Sequence, residues 1–157
     1  MSKYVILIPN FNDWECLNIL IPKISQALEK TNEEVNILII NDGSTKKNNL
    51  SFEKMSGLKK IEVLNLKNNV KAQIAVATGL HFLRKEKFQG GIIAMDADGQ
   101  DDPKYLVDII RESKKNPEKT ITINRTKRDD EIKFKVLYQI YLFLSFLFTL
   151  KYLKFGV

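Results

Sequence analysis

Residues 91–103 read GIIAMDADGQDDP, an apolar run that turns abruptly into an acidic cluster. The apolar part, Gly91–Met95, has the length and composition of a strand that is buried on both faces. Directly after it, Asp96 and Asp98 stand two residues apart. Pro103 suits the first turn of a helix. The segment therefore predicts a buried strand, a polar loop and a helix in succession.

The same arrangement occurs twice nearer the amino terminus. Tyr4–Ile8 is a compact apolar run that leads into Pro9–Asp13, and Val35–Ile40 leads into the turn residues Asn41–Thr45. Each apolar run predicts a buried strand, and each polar cluster predicts a loop at the carboxyl end of that strand.

Other segments complete an alternating pattern. Apolar residues at three- and four-residue spacing predict helices over Leu17–Leu28, over Ala72–Arg84 and after Pro103, with weaker strands at Ile61–Leu66 and Thr120–Asn124. Strands that alternate with helices predict an α/β fold, a mostly parallel sheet flanked by helices. Ligands of such sheets bind outside the carboxyl ends of the strands, where the three polar clusters are expected to meet.

The acidic cluster points to a divalent cation. In extended backbone Asp96 and Asp98 project to the same side, and their charges repel each other unless a cation lies between them. Hard cations such as Mg²⁺ or Mn²⁺ take oxygen ligands, and Gln100 can add an amide oxygen. The alternative is a solvated loop in which Asp102 caps the next helix.

The other two clusters can recognise a nucleoside. Phe11 offers an aromatic face to a base, whereas Asp13 and Asp42 offer hydrogen-bond acceptors; taken alone, each could equally be a turn residue. The sequence contains neither the Gly-x-x-x-x-Gly-Lys-Ser/Thr loop nor the Gly-x-Gly-x-x-Gly loop that cradle phosphates. A metal ion is therefore the more necessary partner for a bound phosphate.

The net charge and the composition indicate which classes of partner the protein can bind. The net charge is +6 at pH 7, and the segment from Arg125 onward contains seven basic and three acidic residues. This basic excess flanks the apolar run Ile140–Leu150, which favours an anionic membrane surface and argues against nucleic acid. That run is shorter than the ~20 residues of a spanning helix, so we expect an interfacial helix, the start of a hairpin whose remainder is missing, or a buried core helix. Cys16 and His81, each the only residue of its type, cannot build a cysteine or histidine metal site.

Four motifs, in this order, resemble those of family 2 glycosyltransferases with the Rossmann-like GT-A fold. They are the strand and loop Val5–Asp13, the Asp-Asp-Gly-Ser-like segment Ile39–Thr45, the helix motif Asn68–Leu80, and Met95–Pro103. The last is most similar to the dolichyl- or polyprenyl-phosphate sugar transferases. The resemblance covers roughly residues 4 to 155.

The resemblance implies roles for matching positions. Pro9, Phe11, Asp13 and Asp42 would hold the nucleoside, with Ala97 beside the nucleotide and Lys71 near it. Asp96, Asp98 and Gln100 would hold the metal, and Arg125 would bind a phosphate. The sequence departs from the family pattern at Phe11 in place of tyrosine, at Asn41 in place of the first acid, and at Val70 in place of glycine.

The sequence thus predicts a nucleotide-sugar-binding domain over residues 1–128 and a membrane-interfacial helical segment over 129–157. The expected activity is metal-dependent, inverting transfer of a sugar from a nucleotide-diphosphate sugar to a polyprenyl phosphate at the cytoplasmic face of a membrane. Transfer to a growing glycan, or a truncated module that binds without turnover, are the alternatives. No catalytic base stands out, and Asp101 and Asp102 are candidates only by their proximity.

Overall fold

The computed structural model describes residues 3–29, 31–51, 55–123, 139–141 and 143. The chain divides into two compact units, Met1–Pro117 and Glu118–Val157. In chain order the elements are β1 (Tyr4–Asn10), α1 (Trp14–Leu28), β2 (Val35–Asn41), β3 (Leu58–Asn65), α2 (Ala72–Lys85), β4 (Gly91–Ala94) and α3 (Leu106–Lys115), which follows a 3₁₀ turn at Pro103–Tyr105. The functional boundary expected between residues 128 and 129 stays a prediction.

The sheet has the strand order β3-β2-β1-β4. Every pair is parallel: Ile6 of β1 lies opposite Ile37 of β2 and Ile93 of β4, and Ile37 lies opposite Ile61 of β3. The predicted parallel α/β architecture is therefore confirmed. Because all four strands run the same way, β1, β2 and β4 end at one edge of the sheet.

Side chains alternate between the two faces of the sheet along each strand, and helices pack on both faces. Ile6 and Ile8 pack in one apolar cluster with α1 and α3, whereas Val5 and Leu7 pack in a second cluster with α2. All seven residues of β1 are buried. A strand covered on both faces needs a continuous apolar run, which is why this segment reads as Tyr-Val-Ile-Leu-Ile.

Three sequence predictions differ from the structure. The strand predicted at Gly91–Met95 to be buried on both faces is β4, which lies at the edge of the described sheet and is only partly buried, with Ile92 39% exposed. The third strand begins at Leu58, earlier than the predicted Ile61. Residues 120–123 form no strand, so the prediction of one at Thr120–Asn124 is wrong for the part that is described. Alternating threonine and isoleucine fit a strand, but a strand also needs a hydrogen-bonded neighbour, and none of the described ladders includes this segment.

The second unit carries part of the predicted apolar segment. Its residues 139–141 and 143 have helical backbone; most of Ile140–Leu150 lies outside the described residues. Among the residues with described positions, no helix has the length and apolarity needed to cross a bilayer.

Trp14 connects the first helix to the loop after β2. Its ring is 2% exposed, and its indole Nε1 donates a hydrogen bond to the carbonyl oxygen of Lys46 at 3.1 Å. The residue therefore fixes the start of α1 against the loop that begins at the end of β2, and both border the edge where the polar clusters meet.

We expect Trp14→Phe to lower the free energy of unfolding by about 1–3 kcal/mol, because it removes buried ring atoms and leaves the Lys46 carbonyl without its donor. Urea unfolding measures this change. Ile19→Ala is the control on the same helix: Ile19 is 61% exposed, and its loss should stay within about 0.5 kcal/mol. Equal losses for the two variants would contradict this account of Trp14.

Candidate functional site

A cavity of about 330 Å³ lies at the carboxyl edge of the sheet. Its wall combines the loops after β1, β2 and β4 with the start of α2. The lining residues are Pro9, Asn10, Phe11, Asp13, Asp42, Asn69, Lys71, Ala72, Asp96, Ala97 and Asp98.

The end of β1 contributes an aromatic ring and an acid. Phe11 is 43% exposed, and Asp13 is exposed beside it. Between Pro9 and Phe11, Asn10 is buried, and its side-chain Oδ1 accepts a hydrogen bond from the backbone N–H of Asp13 at 3.2 Å. This bond fixes the turn that leads into α1, so Phe11 and Asp13 project from a constrained loop.

Asn12 ties that loop to the loop after β2. Its Oδ1 accepts hydrogen bonds from the backbone N–H groups of Thr45 at 2.9 Å and Lys46 at 2.8 Å. Its own backbone N–H donates to Ser44 Oγ at 2.9 Å. Asn12 has a φ of 66°, a left-handed conformation that asparagine tolerates better than most residues. The two loops consequently form one connected wall.

Asp42 is the most buried charged residue of the cavity wall, with 2% exposure. Its Oδ1 accepts a hydrogen bond from the backbone N–H of Val70 at 2.7 Å, and its own N–H donates to the carbonyl oxygen of Asn10 at 2.8 Å. The carboxylate therefore holds the loop before α2 against the ends of β1 and β2. A buried carboxylate that is fixed in this way is also an oriented acceptor for a ligand.

Asn41, where the family pattern has an acid, is engaged within the protein. Its Nδ2 donates to Oδ1 of Asn65 at 2.8 Å, and its Oδ1 accepts from the backbone N–H of Ser44 at 3.1 Å. An aspartate could accept the Ser44 bond but could not donate to Asn65. The amide thus joins the ends of β2 and β3, outside the cavity wall.

Lys71 opens α2 in a strained conformation. Its φ of 74° and ψ of 152° lie in a region that residues other than glycine rarely occupy, at a cost of about 1–3 kcal/mol. Its backbone N–H donates to Oδ1 of Asn69 at 3.2 Å. The side chain is exposed and borders the cavity, where its positive charge faces the same space as Asp42, Asp96 and Asp98.

Asp96 and Asp98 border the opposite side of the cavity. Both are exposed, and the residue between them, Ala97, is 5% exposed. The loop is shaped by its own acids: Oδ1 of Asp98 accepts the Gln100 N–H at 2.9 Å, and Oδ2 of Asp101 accepts the Asp96 N–H at 3.4 Å. The buried alanine anchors the loop, and the two flanking carboxylates reach the solvent side.

These two carboxylates fit one type of cation site. Within the described part of the chain, no group of three or more His, Cys, Asp or Glu side chains could hold a metal ion by itself. Mg²⁺ is commonly bound through one or two carboxylates, with substrate phosphates and water as its other ligands. Asp96 and Asp98 meet that requirement, whereas a site ligated by the protein alone would need additional ligating side chains.

Asp102 has another role. Its Oδ1 accepts the backbone N–H of Lys104 at 3.0 Å, which caps the 3₁₀ turn, and its Oδ2 pairs with Lys104 Nζ at 2.6 Å. The hydrogen bond from Lys104 lowers the pKa of Asp102, and the same contact raises the pKa of Lys104. A carboxylate with a lowered pKa is a weaker base, so Asp102 is a poor candidate for general base. The predicted capping role is confirmed.

A second, larger groove of about 890 Å³ runs along α1 and the segment before α3. It shares Asp98 with the cavity, and its wall includes Lys23, Asp102 and Lys104. Of the described residues that the sequence predicted for nucleotide or metal binding, only Asp98 borders it. The chemistry expected from the sequence is therefore concentrated in the smaller cavity.

The structure brings most of the predicted residues together. Eight border the one cavity: Pro9, Phe11, Asp13, Asp42, Lys71, Asp96, Ala97 and Asp98. Gln100 is exposed and does not border it, and Arg125 lies outside the described residues. Sequence reasoning missed Asn10, Asn69 and Ala72. Each is next to or near a predicted residue in the sequence, but their place in the cavity wall follows from the fold.

Comparisons with known proteins agree that the chain is similar to glycosyltransferases. The profile of the family described as Glycosyl transferase family 2 matches residues 5–156. The chain is 25% identical over 134 residues to the uncharacterized glycosyltransferase YkcC of Bacillus subtilis (strain 168), covering 85% of this chain and 40% of that protein. Its fold is similar to the crystal structure of S. aureus TarS 1-349 in complex with UDP-GlcNAc, with a TM-score of 0.50 and 15% identity, covering 80% of this chain and 38% of that one. The chain spans about two fifths of the length of these relatives.

Gly43 holds the contact between the Asp42 turn and the loop before α2. Its φ is +68°, and a Cβ there would lie 2.7 Å from backbone atoms of Asn68 and Asn69. We expect Gly43→Ala to lower the free energy of unfolding by about 2–4 kcal/mol, through left-handed strain and overpacking. Hydrogen exchange should also show weaker protection of the Val70 amide, because the loop must move away from Asp42.

Gly99→Ala is the matched control for this prediction. Gly99 also has a positive φ, +75°, but a Cβ there would meet nothing within 4 Å. Its substitution should cost about 1–2 kcal/mol from backbone strain alone and leave Val70 exchange unchanged. If the two variants behave alike in both measurements, the close approach at Gly43 has no effect on the loop.

Proposed function

Because this chain belongs to glycosyl transferase family 2, we propose that its cavity binds the nucleotide part of a nucleotide-diphosphate sugar and that the protein is a glycosyltransferase. The observation that carries the proposal is the convergence of a buried acceptor, an aromatic ring, a lysine and two carboxylates on one cavity. That set offers complementary partners for a base, a diphosphate and a cation.

Each group has a separate task in the proposed complex. Phe11 stacks on the base, and Asp42 accepts a hydrogen bond from the base edge, since its carboxylate is already oriented by Val70. Lys71 places a positive charge beside the diphosphate. The structure of TarS with UDP-GlcNAc supports a nucleotide-sugar donor for this fold, and a uridine nucleotide is the first donor to test.

We also propose that Asp96 and Asp98 hold Mg²⁺ or Mn²⁺, with Gln100 as a further oxygen ligand. Such a cation, when bound, neutralises the diphosphate and stabilises it as a leaving group. The two side chains flank buried Ala97, so their loop is fixed while both carboxylates stay accessible. Both carboxylates border the same cavity and carry like charges, which supports a cation as part of the binding-competent state.

The proposed acceptor is a polyprenyl phosphate, which attacks the anomeric carbon with inversion as the nucleotide leaves. A hydroxyl acceptor needs a general base, whereas a phosphate is already ionised. Asp102, one of the two candidate bases, is engaged within the protein by its ion pair with Lys104, in keeping with a phosphate acceptor. Arg125 remains the proposed phosphate ligand from the family resemblance.

A membrane location fits such an acceptor, since a polyprenyl chain stays in the bilayer. We place the protein at the cytoplasmic face of an anionic membrane, with residues 129–157 in the interface. Three apolar side chains of the described helical residues support this: Ile140, Tyr141 and Phe143 are 52%, 51% and 64% exposed. Exposed apolar residues in a segment that lysines flank in the sequence support an interfacial helix.

Two alternatives differ in what the bound donor does next. Transfer to a growing glycan would use the same cavity with another acceptor, and assays with polyprenyl phosphate and with oligosaccharide separate the two. A module that binds donor without turnover is the second alternative, because the chain spans only about two fifths of its relatives. Intact donor recovered after long incubation with both acceptors would favour that alternative.

We expect calorimetry to show that UDP or another nucleoside diphosphate binds in Mg²⁺ or Mn²⁺ and binds about tenfold or more weakly in chelator. Asp98→Ala should remove most of the metal-dependent part while leaving the unfolding transition in place. Asp108→Ala is the control: Asp108 is also exposed, but it lies on α3 and pairs with Arg111. Equal affinities with metal and with chelator would remove the metal from the proposal.

We expect the chain to float with anionic liposomes and a version that ends at Arg128 to remain in the dense fraction. Each lysine near an anionic surface contributes roughly 1 kcal/mol at low salt, and apolar burial adds a part that salt does not screen. Binding should therefore weaken, without vanishing, as salt rises. Equal flotation of both versions, or of neither at any salt concentration, would remove this support for a lipid acceptor.

A further inference from the structure

The larger groove meets the proposed donor cavity at one carboxylate. Of the described residues, only Asp98 borders both the groove of about 890 Å³ and the cavity of about 330 Å³. Ligand pockets usually have volumes of roughly 300–1,000 Å³, so the cavity has room for the nucleotide part of a donor and little room for a second substrate. A transferase must bring its acceptor to the carbon that the diphosphate leaves. The groove reaches the proposed cation ligand Asp98 from outside the cavity.

The groove is elongated, because one of its walls is a face of α1. The wall residues of this helix recur at three- and four-residue spacing, from the first turn to the C-cap. They are Cys16, Ile19, Leu20, Lys23, Gln26, Ala27 and Glu29. At about 1.5 Å of rise per residue, this wall is about 20 Å long. The loop after β4, the 3₁₀ turn and the start of α3 supply the rest: Asp98, Gly99, Asp102, Pro103, Lys104 and Val107.

Part of the groove wall is apolar. Ile19 is 61% exposed, an aliphatic side chain that faces water on α1. Leu20 and Pro103 are buried at the same wall, and Val107 is half-buried. A hydrocarbon chain that covers Ile19 and Val107 removes apolar surface from water, which favours its binding.

The groove also carries a cation that the protein does not pair. Lys23 is exposed and forms no ion pair with the described residues. Three acids border the groove: Glu29, Asp98 and Asp102. Asp102 pairs with Lys104 Nζ at 2.6 Å, and Asp98 is the proposed cation ligand. Glu29 lies six positions along α1 from Lys23, beyond the three- or four-residue spacing at which helix side chains meet. Lys23 is therefore available to an anion beside the apolar wall.

We propose that the groove is the acceptor site, in which Lys23 binds the phosphate of a lipid phosphate and the wall at Ile19 and Val107 receives its hydrocarbon chain. This rests on the proposed function of the cavity, because acceptor and donor meet at Asp98. An unpaired cation next to aliphatic surface in a long groove matches an anionic head with an apolar chain. An oligosaccharide acceptor has neither feature.

The transfer step is balanced with the two substrates alone. An oxygen of the acceptor phosphate forms a bond to the anomeric carbon. The bond from that carbon to the nucleotide diphosphate breaks, and its electron pair leaves with the diphosphate. Since the attacking oxygen is already ionised, the groove needs to bind and orient the phosphate but does not need to remove a proton.

Cys16 allows occupancy of the groove to be measured directly, because it is exposed, borders the groove and is the only cysteine of the chain. The measurement is the rate at which a maleimide alkylates the full chain. We expect geranyl phosphate, a short soluble lipid phosphate, to slow this reaction several-fold at saturation. Geraniol and inorganic phosphate, which each supply one half of the ligand, should protect much less. UDP with Mg²⁺ should leave the rate nearly unchanged, since Cys16 does not border the cavity.

Two variants separate the two parts of the site. Lys23→Met keeps the length of the side chain and removes its charge, so half-maximal protection should need about fivefold or more geranyl phosphate. Ile19→Ala removes apolar surface, and the corresponding increase should be about threefold. Lys85→Met and Ile74→Ala are the matched controls, because both residues are exposed on α2, which packs on the other face of the sheet. Neither control should change the protection.

Three results would overturn the inference while nucleotide binding stays intact. They are alkylation that geranyl phosphate does not slow, protection that all four variants reduce equally, and protection by an oligosaccharide in place of geranyl phosphate. The last result would assign the groove to a glycan. If calorimetry shows that no nucleoside diphosphate binds with Mg²⁺, the proposed function itself is wrong, whatever the rate of Cys16 alkylation.

Discussion

The parallel sheet is the constraint on which the rest of the structure depends. Its central strands are covered by α1 and α3 on one face and by α2 on the other, so β1 and most of β2 have no position for a solvated polar side chain. Polar groups are confined to the ends of the strands. Because all strands run in one direction, three of those ends lie side by side. The cavity is thus a consequence of strand direction combined with two-sided burial.

Side-chain bonds to backbone turn these loops into one wall. Asn12 binds the loop after β2, Asp42 binds Val70 before α2, and Trp14 binds Lys46. Each bond joins residues roughly thirty positions apart in sequence, so the order of the loops is a tertiary property. Such bonds satisfy backbone groups that a loop would otherwise expose to water or leave unpaired. They also restrict the motion of the groups that would contact a ligand, which lowers the entropic cost of binding.

The sequence allowed the sheet and much of the cavity to be predicted, because apolar runs and the polar residues after them are local signals. Eight predicted residues border one cavity for that reason. The features that the sequence did not predict depend on contacts with residues that are distant along the chain. Residues 120–123 have strand-like side chains but pair with none of the described strands. Asn41 lacks the charge of the acid in the family pattern, and only the fold shows that its amide binds Asn65. Asn10 gave no signal, since burial of its amide follows from how β1 and β2 end together.

The cavity has two sides of different physical character. On the side formed by the ends of β1 and β2, Asp42 and Asn10 are buried, and hydrogen bonds within the protein fix their orientation. On the opposite side, Asp96 and Asp98 are exposed and carry like charges. Buried, prepaired groups discriminate strongly, because a mismatched ligand leaves them unsatisfied. Exposed carboxylates discriminate little between ligands but respond to a cation and its phosphates. In the proposed complex, recognition of the base and attraction of the diphosphate would therefore fall to separate walls. A change on one wall would then alter specificity while the charge balance of the other is preserved.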